Sequence, residues 1–540
     1  MAKRWWIFSA LLMAAAATAG CDENVGEPDL VERDPGRTAV ELLREELRAR
    51  GLDGDPLGGR GIYGDGPWDS PLDQVSNDPV AQLGMQLFYT THLSGQDDVA
   101  CVSCHVNILG GGDARSMAIG PSAAFPEVMG AARTFPEGAR GKPIPRNSPT
   151  MFNALAWDRC ILMDCRIESI GAEPLRGGDD GNGISTPTVG HGRLDPTAGA
   201  SLLETHLRFP MNSEVVMRGL VLPELETLDY ADCLADKLAG RGDCAPLLES
   251  VHNVAPEDNP WPLRFAEVFD PNFDAEQPPE VDAARDWVTF DNIAEALVAY
   301  EHTLSFAETP LRAFIEGDDE ALTASQVAGG LWFFRSVADG GGDCASCHTG
   351  DMFTDEDFHN VGVVQIGPGK GHGPLRDADW GRGGITRQAA DRWKFRTPTL
   401  LNVETTGPWG HNGAYTTLED IVRTHIDPVG AYERFDVSSV PFTPAPENVA
   451  YNTEEMLRAL QREPNYPFVD APDSVVAEVV DFMTALTDPC VLSRECLAPF
   501  DPFNAGLEDA NMGLLHPVDE EGCSLVDIAP NCAPAEGGDQ

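Results

Sequence analysis

Cys344-Ala345-Ser346-Cys347-His348 is the stretch on which this chain turns, and it has a twin at Cys101-Val102-Ser103-Cys104-His105. C-x-x-C-H is the pattern by which a c-type haem is attached. Two residues between the cysteines let one short turn carry both sulfurs to the porphyrin vinyl groups, where they form thioethers. The next residue, histidine, is then placed beneath the iron as its proximal ligand. A single copy could be a redox or zinc-binding C-x-x-C, but zinc needs a second ligand pair nearby. Two copies, each followed directly by histidine, predict two covalently bound haem c groups. Their attachment residues are Cys101, Cys104, His105, Cys344, Cys347 and His348.

The rest of the composition fits an exported protein. Lys3 and Arg4 precede an apolar run from Trp5 to Ala17, which reaches Thr18-Ala19-Gly20-Cys21. The run has signal-peptide length and is short for a transmembrane helix. Small residues before a cysteine predict a lipoprotein signal over residues 1–21, although Thr18 stands where leucine is more usual. Ordinary signal cleavage that leaves a stray cysteine is the alternative. The expected location is the periplasm or cell envelope, with membrane contact only through a lipid on Cys21. Thirteen cysteines are present. After lipid and haem are provided for, eight remain as close pairs: Cys160/Cys165, Cys233/Cys244, Cys490/Cys496 and Cys523/Cys532. Four local disulfides in an oxidising compartment are expected, free buried thiols being the other reading. The net charge of −50 disfavours nucleic acid and anionic membrane surfaces as partners. It serves solubility, and it can also steer a basic electron donor or bind calcium.

A length of 540 residues with 54 glycines and 42 prolines implies two or three loop-rich domains. Residues 22–78 read as a flexible tether with one helical stretch, Thr38 to Arg50. Helical spacing of apolar residues begins at Pro79 and runs through Phe88 into the first motif. Thr323 to Ser336, with Leu331, Trp332, Phe333 and Phe334, leads into the second. Pro149-Thr150-Met151-Phe152-Asn153 follows His105 by 44 residues, and Pro398-Thr399-Leu400-Leu401-Asn402 follows His348 by 50. Each comes after an arginine, Arg146 or Arg396. Asp164-Cys165-Arg166 against Asn412-Gly413-Ala414 is a third echo, and three in order predict a duplicated haem domain. Asp291 to Leu304 reads as an amphipathic helix with Asp291 as N-cap. The expected fold is mainly α, with two cytochrome-c-like haem domains related by duplication. The first spans 79–305 with an insertion at about 220–285, and the second spans 306–489 with a helix near Ser474 to Leu486. A disulfide-rich extended tail covers 490–540.

In order along the chain stand Leu93-Ser94-Gly95, Leu109-Gly110-Gly111, Arg146-Asn147-Ser148-Pro149-Thr150 and Met163-Asp164-Cys165-Arg166. They are followed by Phe353-Thr354-Asp355, Phe358-His359-Asn360-Val361-Gly362, Phe395-Arg396-Thr397-Pro398-Thr399-Leu400 and Pro408-Trp409-Gly410-His411-Asn412-Gly413. On these residues the chain resembles the bacterial di-haem cytochrome c peroxidase family, including its methylamine-utilisation branch, over roughly residues 80 to 490. The resemblance implies an oxidoreductase that reduces hydrogen peroxide at the N-terminal haem. Electrons from a small cytochrome c or cupredoxin would enter at the C-terminal haem, and a homodimer is among the expected assemblies. Two other readings stand beside it: a peroxide-dependent oxidase of a partner protein, and a non-catalytic di-haem electron-transfer protein.

The resemblance also implies site residues, and the departures from it are informative. The family's peroxidases cap the peroxidatic iron at rest with a histidine soon after the first motif. Here that context reads Ala118-Ile119-Gly120-Pro121, and the next histidine after His105 is taken as His191, which could fold back from its longer loop. The first haem is therefore expected to stay accessible without reductive activation. The family's distal methionine at the second haem corresponds to His425, which implies His/His ligation and a lower potential. A histidine in the last turn of a helix is also favoured by the helix dipole. The methylamine-utilisation enzyme carries tyrosine there and oxidises a protein, which keeps a protein-oxidising role open. The family's distal acid corresponds to Glu214, which would move a proton between the peroxide oxygens or else be solvated surface. Glu173 matches a pocket glutamine. Arg166 is either a pocket residue or an anchor for a haem propionate. Met163 stands where the family has a tryptophan between the haems, with Trp157 as a substitute or as core packing. Asn147, Thr406 and Pro408 match the oxygen ligands of a calcium ion, an Asn-Ser-Pro turn without metal being the alternative.

Overall fold

The structure is a computed structural model describing residues 37–57, 70–139, 141–171, 183–241, 258–440, 445–463, 466 and 469–528. Helices begin where a capping side chain meets an apolar stripe. In α1 (Ala39–Ala49) the Thr38 hydroxyl accepts from the Glu41 N–H, and the Glu41 carboxylate accepts from the Thr38 N–H, a reciprocal capping box. α2 (Pro71–Asn77) and α3 (Pro79–Tyr89) each place proline in the first turn behind a capping side chain, Ser70 or Asp78. α4 (Leu202–Asn212), α5 (Thr227–Ala239), α6 (Trp261–Phe269) and α7 (Phe290–Thr303) follow. After α8 (Pro310–Glu316) and α9 (Ala324–Phe334) come α10 (Leu418–Ile426), α11 (Pro428–Arg434), α12 (Pro446–Leu460) and α13 (Asp473–Thr484). Sheet is confined, among the described residues, to two antiparallel pairs of two-residue strands. Glu168–Ser169 pairs with Ile184–Ser185, and Phe358–His359 with Phe395–Arg396. The expected mainly α character holds.

Two helix boundaries differ from the sequence reading. Thr289, not Asp291, caps α7, its hydroxyl accepting from the Asn292 N–H at 3.1 Å. Asp291 lies inside the first turn, where its charge still suits the helix dipole. α9 stops at Phe334, two residues before Ser336, with Thr323 as its cap.

Both halves are built on one close helix crossing. α3 lies against α7 and α9 against α13. A Cβ added at Gly84 would stand 1.8 Å from the Ala296 carbonyl oxygen, and one at Gly329 would stand 1.9 Å from that of Glu478. The backbones therefore touch, and only glycine fits. Leu83, Leu87 and Phe88 meet Ile293, Leu297 and Tyr300 in the first core, while Leu331, Phe333 and Phe334 meet Val479 and Phe482 in the second.

The described parts of the predicted tether and insertion are folded into these cores. Leu42, Leu43 and Leu47 of α1 join the second core. From 220–285, Tyr230, Leu234, Leu238, Trp261 and Phe265 join the first. The tail returns to the first half as well. Leu515 donates its N–H to the Tyr89 carbonyl at 2.8 Å, and the Thr91 N–H reaches the Gly513 carbonyl at 3.0 Å. Cys160–Cys165 and Cys490–Cys496 are disulfides. Cys233 and Cys523 are disulfide-bonded too, and their predicted partners, Cys244 and Cys532, lie outside the described residues. So do the signal segment and Cys21. No helix among the described residues is long and apolar enough to cross a membrane.

The crossing makes a prediction. In a free helix Gly→Ala gains about 1 kcal/mol of propensity, but in the crossing it forces the backbones apart at a cost of about 1–3 kcal/mol. G329A should therefore be neutral to destabilising in urea denaturation followed by circular dichroism. A clear rise in stability would mean that α9 and α13 do not touch there.

Candidate haem sites

Each C-x-x-C-H folds as one tight turn. The His105 N–H donates to the Cys101 carbonyl at 3.1 Å, and the His348 N–H donates to that of Cys344 at 3.0 Å. The two side chains are held alike. Nδ1 of His105 is 3.1 Å from the Gly111 carbonyl oxygen, and Nδ1 of His348 is 3.0 Å from that of Phe353. A ring that donates from Nδ1 keeps its lone pair on Nε2, the tautomer a metal requires. A phenylalanine of the preceding helix lies beside each ring, Phe88 at 6.5 Å from His105 and Phe333 at 6.4 Å from His348. Among the described cysteines, Cys101, Cys104, Cys344 and Cys347 are the ones outside disulfides. These are the four that thioether attachment needs.

In the second half, α10 brings His425 opposite His348, with ring centres 6.4 Å apart. Two metal–imidazole bonds of about 2 Å each, plus about 1 Å from each nitrogen to its ring centre, span about 6 Å. The gap therefore suits one iron. His425 Nδ1 is anchored on the Ile421 carbonyl oxygen at 2.8 Å, which turns Nε2 outward. Burial lowers the pKa of His425. Burial, with His425 nearby, pushes His348 down to about 4. Neutral imidazoles of this kind are ready ligands.

A buried charge cluster ties the two halves together. Arg146 grips Asp379 through Nε and Nη2 at 2.7 and 2.9 Å and reaches Asp164 at 2.8 Å. Arg166 meets Asp164 at 3.0 Å and Lys370 comes within 3.9 Å of it. Three cations face two carboxylates, so the cluster retains positive charge, which suits an anionic group such as a haem propionate. Burial, with Arg166 and Arg146 adding to it, lowers Lys370 to about 8 against the pull of Asp164 and Asp379. Burial would raise Asp379, but the Arg146 guanidinium outweighs it and holds the carboxyl at about 2.

The other predicted residues are dispersed. Glu214 opens a short helical turn and pairs with Lys142 at 2.8 Å, its side chain 50% exposed. Glu173 lies outside the described residues. His191 sits on a surface loop with Nδ1 3.6 Å from Glu168. Trp157 is buried beneath the Arg396 guanidinium, 3.4 Å from its ring centre, which is a packing role. The Met163 carbonyl accepts from the Arg396 N–H at 2.9 Å. Asn147 and Pro408 meet, the side-chain amide of Asn147 donating to the Pro408 carbonyl, and the Thr406 hydroxyl donates to Val403 O at 3.2 Å. Cys347, Asp355 and His359 gather within 4.8 Å. With Cys347 committed to a thioether, only two ligands remain there.

Two residues escaped the sequence reading. His206 of α4 has a buried Nδ1 without a hydrogen-bond partner. Burial, with Arg166 and His105 close by, pushes its ring down to about 3. Glu301, beside Cys101, has a buried carboxylate oxygen without a partner, and burial raises it to about 8. Neither stands at a motif spacing. The only signal for His206 was a histidine inside an otherwise amphipathic helix.

The Asp379 pair has a testable pH signature. A carboxyl held at about 2 when folded and about 4 when unfolded contributes about 2–3 kcal/mol above pH 4, lost as pH falls towards 2. D379N should cost about that much at pH 7 and much less near pH 2–3 in urea denaturation. An equal loss at both pH values would rule the linkage out.

Residues 78–320 match the family model described as di-haem cytochrome c peroxidase. Cytochrome c551 peroxidase of Pseudomonas aeruginosa is 24% identical over 360 residues, covering 66% of this chain and 75% of that protein. Methylamine utilization protein MauG of Methylorubrum extorquens is 23% identical over 346 residues, covering 64% and 67%. A solved MauG-like protein associated with microbial copper homeostasis is 19% identical, with 81% and 97% covered and a TM-score of 0.49. With two haem-attachment turns in one chain, the protein is similar over residues 78–320 to the di-haem cytochrome c peroxidase family model and, at 23–24% identity, to these two proteins.

Proposed function

We propose that this protein reduces hydrogen peroxide to water at the first haem site, on His105, with electrons that enter through the second, between His348 and His425. The observation that carries this reading is the inequality of the two sites. His425 is anchored at Nδ1 and spaced from His348 as an iron ligand would be. On the side of the first site, His206 is buried with Nδ1 unanchored among the described residues, and Arg166 and His105 are near enough to act on it electrostatically. A bound haem at each site supplies an iron that exchanges electrons, and reducing peroxide takes two electrons, so two sites hold what one cannot. Arg166, fixed by Asp164, is positioned to offset negative charge on a peroxide oxygen. Glu214 and Glu173 are the further residues the resemblance offers for proton movement.

Further parts of the reading draw on other features. The net charge of −50 favours a basic donor, a small cytochrome c or a cupredoxin. The disulfides favour an oxidising compartment, in line with a periplasmic or cell-envelope protein anchored through Cys21. The meeting of Asn147 with Pro408, near Thr406, supports one calcium ion there, since oxygen donors completed by water suit it. The shared plan of the halves, Gly84 with Gly329 and Phe88 with Phe333, supports an origin by duplication. His425 in place of a thioether lowers the potential of the second haem, which favours peroxide-dependent oxidation of a partner protein as a second reading.

The resting ferric protein should show a high-spin haem that binds cyanide or peroxide. Two low-spin haems that stay inert to peroxide even after partial reduction would remove the enzymatic reading. Turnover with a reduced small cytochrome separates peroxidase from protein oxidase. H425M should raise the potential of the second haem in redox titration, and an unchanged potential would remove His425 as ligand.

A further inference from the structure

The geometry points to His206 as the distal residue of the first haem site, standing across from His105 and moving the peroxide proton. The inference rests on the peroxide-reducing role of that site. The two halves share a helix plan around their C-x-x-C-H turns. α3 and α7 meet at Gly84 as α9 and α13 meet at Gly329. Phe88 lies beside His105 as Phe333 lies beside His348, at nearly the same distance. In the second half a third helix, α10, packs on α13 and carries His425 to face His348. In the first half α2, α4 and α5 all pack on α7, and among them α4 carries a histidine, His206. Arg166 and His105 are near enough to act electrostatically on its buried ring.

The two helices treat their histidines differently. His425 has Nδ1 tied to the carbonyl one turn back, the support that orients a metal ligand. His206 has a buried Nδ1 with no hydrogen-bond partner among the described residues. A buried nitrogen of that kind is costly to leave unpaired, and a hydrogen-bonding guest would satisfy it. The helix thus presents a buried imidazole that a guest can meet with a hydrogen bond. Glu214 is turned to Lys142 instead.

With a haem held by Cys101, Cys104 and His105, hydrogen peroxide in the pocket would give the proton of its inner oxygen to His206. The outer oxygen takes that proton back as the O–O bond breaks, and leaves as water with the bonding electron pair. The remaining oxygen becomes the second water after two electrons have come from the donor and two protons from solvent.

The test uses the haem-loaded protein and reads cyanide association optically, because hydrogen cyanide must also lose a proton to bind. H206Q and H206L should slow cyanide association and peroxide reaction by about 10²-fold or more. Haem content and the potential of the second haem should be unchanged, which shows that the fold is intact. Unchanged association in both variants would overturn the inference. So would a first haem that is low-spin in the wild type and becomes high-spin on substitution, since His206 would then be an iron ligand. Loss of the peroxide reaction in E214Q but not in H206Q would move the role to Glu214. If the wild type turned over no peroxide while H206L still slowed cyanide association, the peroxidase reading would fail and the distal placement would stand.

Discussion

At Gly84 the backbone of α3 comes so near α7 that a single methyl would stand 1.8 Å from a carbonyl oxygen, and Gly329 repeats this between α9 and α13. Backbone contact of this kind leaves little room for the two helices to slide. It sets where each leading helix ends, and the C-x-x-C-H turn follows within some ten residues. It also sets where Phe88 and Phe333 project, and each lies beside the proximal histidine of its half. The haem turns are held by packing on one side and by a loop carbonyl on Nδ1 on the other.

Charge joins the halves that packing builds. Arg146 follows the first haem turn in sequence, yet its strongest partner, Asp379, comes from the second half. Asp164 gathers Arg146, Arg166 and Lys370 around a nearly inaccessible carboxylate. A buried ion pair of this type adds little net stability against an apolar replacement, but losing one partner is costly. Its value here is positional: it fixes Arg166 and Arg146 on Asp164 and leaves net positive charge buried between the halves.

Much of the fold was legible in the sequence. The helices before each motif were marked by apolar spacing and by the caps Thr38, Asp78 and Thr323. The pairing of cysteines anticipated Cys160–Cys165 and Cys490–Cys496. Asp291 was mistaken for a cap because a carboxylate suits both the cap and the first turn, and only the backbone geometry separates them. The segment around α1 read as a tether because glycine, proline and aspartate surround it. Leu42, Leu43 and Leu47 nevertheless find a hydrophobic face on α9, and no local composition reveals a partner nearly 300 residues away.

Covalent chemistry is local, so the sequence by itself determined where two haem groups attach. Five consecutive residues carry both thioethers and the proximal ligand. It also determined the pairing of Cys160 with Cys165 and of Cys490 with Cys496, since those partners lie a few residues apart. What opposes each proximal histidine is a different matter. His425 stands 77 residues from His348, and His206 stands 101 from His105. Their roles depend on which helix lies across the pocket and on whether a carbonyl one turn back ties the ring. The resemblance pointed to His425 and no motif pointed to His206, but whether a ring faces the proximal histidine and is tied back is a property of packing between distant segments, and only the tertiary structure decided it.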